Sequence, residues 1–235
     1  MRFIRNIYLK YNPKQYIRHI IIEVIIVAVG ILIAFQLDAW KEESDRIDIE
    51  LKTLMEIRSD LRTDVVDISL NDTIHTEGFN SSEIVLKHLS GKNAYHDSLA
   101  EHFFTIMYSY SLFLSHTSAY ETLKSRGLET VTNDTLRLLL GELYDVKYEL
   151  IEKNEMDLRS LIFNDVFTYF KKNFTLDNSE AIPINYNALL RDRYFLNLIA
   201  LNKLAQRGSA SDFRKLLIEL KKIDQLLEAE ISRLE

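Results

Sequence analysis

The sequence predicts an all-α chain: one N-terminal transmembrane helix continuing into a stalk, then an extracytoplasmic helical bundle closed by a C-terminal coiled-coil-like helix. Three observations predict it. Residues 20–37 read IIIEVIIVAVGILIAFQL, with Glu23 as the single ionisable side chain. Only two prolines (Pro13, Pro183) and six glycines interrupt 235 residues, and alternating β-branched runs are few. Apolar residues recur at 4-3 spacing near both ends of the part that follows the apolar run.

The apolar run comes first. Eighteen residues rising about 1.5 Å each span roughly 27 Å, close to the hydrocarbon thickness of a bilayer. In lipid the backbone must satisfy its own hydrogen bonds, so such a stretch crosses as a helix, here over residues 20–38. Residues 1–19 carry Arg2, Arg5, Lys10, Lys14 and Arg18 and no acid, a short basic tail. Asp38, Glu42, Glu43 and Asp45 follow the run, with Trp40 at the depth where indoles anchor at the interface. Positive-inside bias then places the N-terminus in the cytoplasm and the C-terminal domain in the periplasm, a single pass through the inner membrane. The competing readings are a helix buried in a soluble core, shorter as a rule, and a cleaved signal peptide. The latter would have an unusually long apolar region and lacks a clear Ala-x-Ala site.

Glu23 inside lipid is expensive unless it faces a partner, water or headgroups. At 100° per residue Glu23, Gly30 and Ala34 share one stripe, and Gly30-x-x-x-Ala34 is a small-xxx-small spacing that lets helices approach. The stripe is a candidate contact with a second copy or with another membrane protein. The alternative is that Glu23 snorkels beside His19 and touches nothing.

Of 29 basic and 35 acidic residues, five and one precede Asp38, leaving 24 and 34 from Asp38 onward. That acidic balance argues against nucleic acid and against the domain lying on anionic lipid. The chain has no cysteine, hence no disulfide framework and no thiolate metal site; the periplasm is compatible with this.

After the crossing no break occurs up to Ile68. The stalk, residues 39–70, carries Ile47, Leu51, Leu54, Leu61, Val65 and Ile68 at 4-3 spacing, with Arg58 in the vacant slot. Leu216, Leu220, Ile223, Leu227 and Leu234 repeat the spacing, Glu230 being the odd member. The two segments predict an antiparallel pair of the stalk with helix 211–234; a parallel homodimer of stalks fits the same pattern. Within the bundle, residues 71–235, the polar stretch 71–82 predicts a loop, and 83–89 a short helix ended by Gly91. A helix over 93–114 shows one face of Leu99, Phe103, Ile106, Tyr110 and Phe113. Residues 118–127 form a short helix stopped at Gly127. Asn133-Asp134 caps a long helix over 134–172, whose face begins with Leu139, Leu143, Val146 and Leu150. A Pro183-containing loop spans 175–186. Helix 188–206 is apolar nearly all round and reads as the most buried element. Gly208 and the Ser209-x-x-Asp212 cap then open the last helix.

Phosphate-cradling glycine loops, HExxH and GxSxG are missing, and no cofactor is expected. The six histidines (His19, His75, His88, His96, His102, His116) are scattered. His96-Asp97 and Glu101-His102 form the densest polar cluster, but the two histidines lie about 120° apart on a helix, which favours a solvated face over a metal site. Glu149 and Lys153 read as a surface pair. Asp72-Thr73-Ile74, Asp97-Ser98-Leu99 and Asp134-Thr135-Leu136 have the form of bacterial periplasmic O-glycosylation acceptors. Of these, Thr73 falls in a predicted loop.

Two blocks carry a resemblance. IIEVIIVAVGILIAFQLDAWKEE resembles the N-terminal crossing of a domain-of-unknown-function family of single-pass membrane proteins from Gram-negative bacteria, through Glu23, Gly30, Gln36 and Trp40. Ile22 stands where that family has glycine, and Asp38-Ala39 where it has asparagines. SAYETLKSRGLETVTNDTLRLLLGELYD is similar to the family's second block through Tyr120, Leu123, Gly127, Leu128 and Leu136. The resemblance implies an anchored helical protein and brings no catalytic residues.

The expected function is therefore that of a non-enzymatic, membrane-anchored protein whose periplasmic helical domain binds a partner or ligand. Nineteen residues are too few for a kinase or cyclase output, so any signal would pass laterally through a membrane partner. A self-associating scaffold and a periplasmic enzyme with an unrecognised site are the alternatives.

Overall fold

The computed structural model describes residues 13–235, with side chains from Ile17 onward. Arg2, Arg5 and Lys10 lie outside the described residues, as does the Lys14 side chain. The chain divides into two units, Met1–Glu50 and Leu51–Glu235. Helix α1 (Pro13–Ser90) supplies the whole described part of the first and opens the second.

In the first unit every residue from Ile17 to Arg46 is exposed, including Val24, Ile26, Leu32 and Phe35. Among the described residues this is the one helix long and apolar enough to cross a membrane, a test that a signal sequence also passes.

The second unit is built on α1 from Leu51 and on α8 (Arg193–Leu234), which run antiparallel. Arg58 Nε meets Asp224 Oδ1 at 2.8 Å, Asp72 meets Arg214 at 3.0 Å, and Glu83 meets Lys203 at 3.4 Å. Their buried positions follow a 3-4 repeat throughout: Leu54, Ile57, Leu61, Asp64, Ile68, Asn71, His75, Gly78, Ser82, Val85 and Leu89 on α1. On α8 the row from Phe195 to Glu230 includes Asn202, Gln206, Ser209 and Phe213.

Between them come α2 (Leu99–Tyr108), α3 (Ser118–Arg126) and a 3₁₀ turn (Leu128–Thr130). A long helical run follows: α4 (Asp134–Glu142), a π segment (Leu143–Tyr148), α5 (Glu149–Leu161), a second π segment (Ile162–Val166) and α6 (Phe167–Asn173). Then β1 (Phe174–Asp177) pairs antiparallel with β2 (Glu180–Pro183), and α7 (Tyr186–Leu189) leads into α8. The caps follow from sequence chemistry. Asn133 accepts from Leu136 N, Asn185 from Ala188 N, and Asp192 from Tyr194 N and Phe195 N. Gly127 ends α3 with φ 108°, a conformation open to glycine.

Two apolar cores form. One gathers Leu54, Ile57, Leu61 and Ile68 with α3, α4 and the second half of α8, including Leu216, Leu220, Ile223 and Leu227. The other gathers Val85 and Leu89 with Phe103, Phe170, Phe174 and Phe195. Between the two rows of apolar positions lie Asn71, His75, Ser82, Asn202 and Gln206, all buried.

The helical bundle and the pairing of the long N-terminal and C-terminal helices agree with the sequence reading. Several elements differ. Residues 71–82 are helix, because Asn71, His75, Gly78 and Ser82 hold the buried repeat with polar or small residues. α1 ends at Ser90, and the left-handed residue of its cap is Lys92 (φ 51°), with Asn93 N bonding His88 O, rather than Gly91. The helix expected over 93–114 is confined to α2. Residues 175–186 contain a hairpin instead of a plain loop. Gly208 sits inside the unbroken α8, where an added Cβ would meet nothing within 4 Å. Helix 188–206 is buried on one side only: Phe195, Leu198 and Ile199 are inside, while Tyr194, Leu201 and Leu204 are exposed.

Candidate functional site

The residues singled out for a membrane-helix contact, Glu23, Gly30 and Ala34, fall on one exposed face of α1. An added Cβ at Gly30 would meet nothing within 4 Å. Arg18 and Trp40 are exposed on the same helix.

His96 and His102, which sequence spacing placed on different faces, make separate contacts. His96 Nδ1 bonds Ser98 Oγ at 2.8 Å, whereas His102 Nδ1 bonds Ser81 Oγ at 3.2 Å. Thr73 lies in α1 and donates its hydroxyl to Ser69 O, so it is not the loop acceptor the tripeptide suggested.

The structure instead brings together residues that sequence spacing did not connect. α2 stops where Ser109 returns its hydroxyl to Thr105 O at 2.6 Å. Residues 109–117 then cross without regular structure as a strap against α1 and α5. Phe113 plugs the strap into the core, edge-on to Tyr148 (5.0 Å) and Phe213 (6.3 Å). Each end is tied to a buried carboxylate.

At the first end His75, wholly buried, stacks on Phe213 at 5.5 Å. Its Nδ1 lies 2.7 Å from Gln206 Oε1, and its Nε2 lies 2.9 Å from both Glu155 Oε2 and Ser111 Oγ. Ser111 donates to the same Glu155 oxygen at 2.8 Å. The Gln206 amide nitrogen donates to Ser109 O and to Asn202 Oδ1, which fixes its oxygen toward the ring; Nδ1 is thus a donor. A serine, a histidine and a carboxylate are all present, but serine and carboxylate share one ring nitrogen. A nucleophilic triad needs them on opposite nitrogens, so this set ties the strap down rather than activating Ser111. Space is tight here: an added Cβ at Gly78 would fall 2.5 Å from Ser109 Cβ and 3.0 Å from Gln206 Cδ.

At the second end Asp64, fully buried, accepts from His116 N (3.0 Å) and His116 Nδ1 (2.7 Å) on one oxygen and from Tyr148 OH (2.8 Å) on the other. Tyr148 is the last residue of the π segment Leu143–Tyr148. Burial pushes the Asp64 carboxyl up, against the lowering effect of those three donors. The hydrogen bond to Asp64 raises His116, with Asp60 and Asp67 adding to it and desolvation opposing. Burial beside Asp64 also drives the Tyr148 and Tyr144 hydroxyls up. Between these ends Ser115 donates to Glu152 at 2.7 Å.

Outside the strap lies an open groove of roughly 900 Å³ along α1, with Arg58, Arg62, Val66, Leu112, Leu114 and His116 among its walls. Arg58 and Arg62 turn toward Asp224, and Arg58 also meets Glu228, so their charge is largely offset.

The class defined here is a helical bundle with two cores built on one long helical pair, preceded by an exposed apolar helix. The chain belongs to the family of unknown function DUF6090, whose match runs over residues 23–207. No curated protein and no solved structure matches it.

Proposed function

We propose that the chain is a single-pass inner-membrane protein, N-terminus in the cytoplasm, whose periplasmic helical domain binds a partner without catalysing a reaction. The observation that supports this most is the apolar helix at Ile17–Arg46, exposed along its whole length. Apolar surface of that extent is costly in water and costs nothing in lipid. The basic tail and the acidic residues that follow supply the orientation. Glu23, Gly30 and Ala34 then face other membrane helices, where the open space at Gly30 admits close backbone approach.

Affinity purification of the full chain from mild detergent, followed by mass spectrometry and sizing, tests the reading. A different membrane protein recovered in stoichiometric amount, and lost with Gly30→Leu, is the expected result. Recovery of a homo-oligomer alone would replace it with the scaffold reading. Recovery of the chain alone, as a monomer, would overturn it.

A further inference from the structure

We infer that residues 109–117 are a proton-latched strap, held closed at the His116–Asp64 pair while the His116 ring is doubly protonated, and loosened there as pH rises. The geometry carries this. Asp64, at 0% exposure, takes both the backbone N–H and the ring Nδ1 of His116, so this end of the strap hangs on one buried carboxylate.

At the His116 end, the imidazole Nδ1 donates to a carboxylate that also takes a backbone N–H and a tyrosine hydroxyl. The charged groups facing His116 are Asp64, Asp60 and Asp67 of α1; Arg58 and Arg62 of the same helix also wall the groove and are tied to Asp224. All three acids favour imidazolium, and His116 is held above its ordinary range. A group raised on folding adds stability that is complete below its unfolded value. That stability disappears as pH climbs through the folded value. The latch is therefore tight in mild acid and weaker in mild alkali.

At the His75 end the ring faces Glu155 from α5, Ser111 from the strap, and Gln206 and Phe213 from α8. Nδ1 donates to the Gln206 oxygen, and Ser111 donates to Glu155, so this end is a buried hydrogen-bonded tie. Opening would withdraw Phe113 from its socket and move Leu112 and Leu114, which wall the groove.

Hydrogen exchange of the full chain in detergent micelles, at about pH 6 and about pH 9 and corrected for intrinsic exchange, reads the latch. The amides of 114–117 are expected to open about fivefold more at the higher pH, the difference between a charged and a neutral hydrogen bond. Amides of α2 should stay unchanged. His116→Gln, at a half-exposed position, should remove the pH dependence at 114–117. Strap opening that is equal at both pH values in the wild-type chain overturns the inference, as does a His116→Gln strap with an unaltered slope.

Discussion

Gly78 and Gly208 form a matched pair that tests the packing of α1 against the strap. Both sit inside long helices, so alanine at either gains about 1 kcal/mol of helix propensity. At Gly208 nothing lies within 4 Å of the new methyl, and the gain should appear in full. For a unit of this size that raises Tm by about 2–4 °C. At Gly78 the methyl would fall 2.5 Å from Ser109 Cβ, 2.7 Å from Ser109 Oγ and 3.0 Å from Gln206 Cδ. Overpacking of this kind costs about 1–3 kcal/mol. Displacing the Gln206 bond to the Ser109 carbonyl costs about 1 kcal/mol more. The expected net effect of Gly78→Ala is a loss of about 1–3 kcal/mol, read as a lower Tm by circular dichroism on the full chain in detergent, beside Gly208→Ala. If Gly78→Ala stabilises as much as Gly208→Ala, α1 and the strap do not approach as described.

Phe113→Ala removes a wholly buried ring that contacts Tyr148 and Phe213; a loss of about 3–5 kcal/mol is expected in denaturant titration, and a loss under 1 kcal/mol would contradict its anchoring role. Asp192→Ala strips the α8 N-terminus of the acceptor for Tyr194 N and Phe195 N, and Tyr169 OH of its partner at 2.6 Å. This should cost about 1–2 kcal/mol, mostly restored by Asp192→Asn. Burial raises the Asp224 carboxyl, but the Arg58 and Arg62 guanidiniums outweigh it and hold the group below its ordinary range. Such a depressed acid stabilises the fold above its unfolded value and loses that contribution as pH falls through the folded one. Stability of Arg58→Leu should therefore fall less steeply below about pH 4 than that of the unmodified chain; parallel acid limbs would count against the pairing.

The amphipathic framework was readable because burial and apolarity coincide in most of it. Leu54, Leu61 and Ile68 on α1 and Leu216, Leu220 and Leu227 on α8 identified the helix pair. Apolarity failed as a guide where buried positions pair with each other. His75 and Ser82 look like loop residues until Gln206, Asn202 and Glu155 stand opposite them, and those partners are 80 or more residues away. The same cause placed Arg58 in the repeat, although Ile57 and Asp64 occupy the buried row. Gly208 misled in another way: glycine usually marks a helix end, but the buried row of α8 runs past it unbroken. In the strap, Tyr110 and Phe113 continued the helical face of α2. What ends that helix is a tertiary contact, Gln206 on the Ser109 carbonyl, which local spacing does not encode. The histidine–carboxylate ties had no signature beyond composition, since His116 and Asp64 are 52 residues apart.

Anchoring in lipid with the bundle outside the cytoplasm is the claim on which the partner-binding role rests. A reporter active only in the cytosol and another active only in the periplasm, each fused after Glu235 in a Gram-negative host and combined with alkaline carbonate extraction, test it directly. The chain is predicted to stay with the extracted membranes and to light only the periplasmic reporter. Release into the soluble fraction, or a signal from the cytosolic reporter, would contradict it.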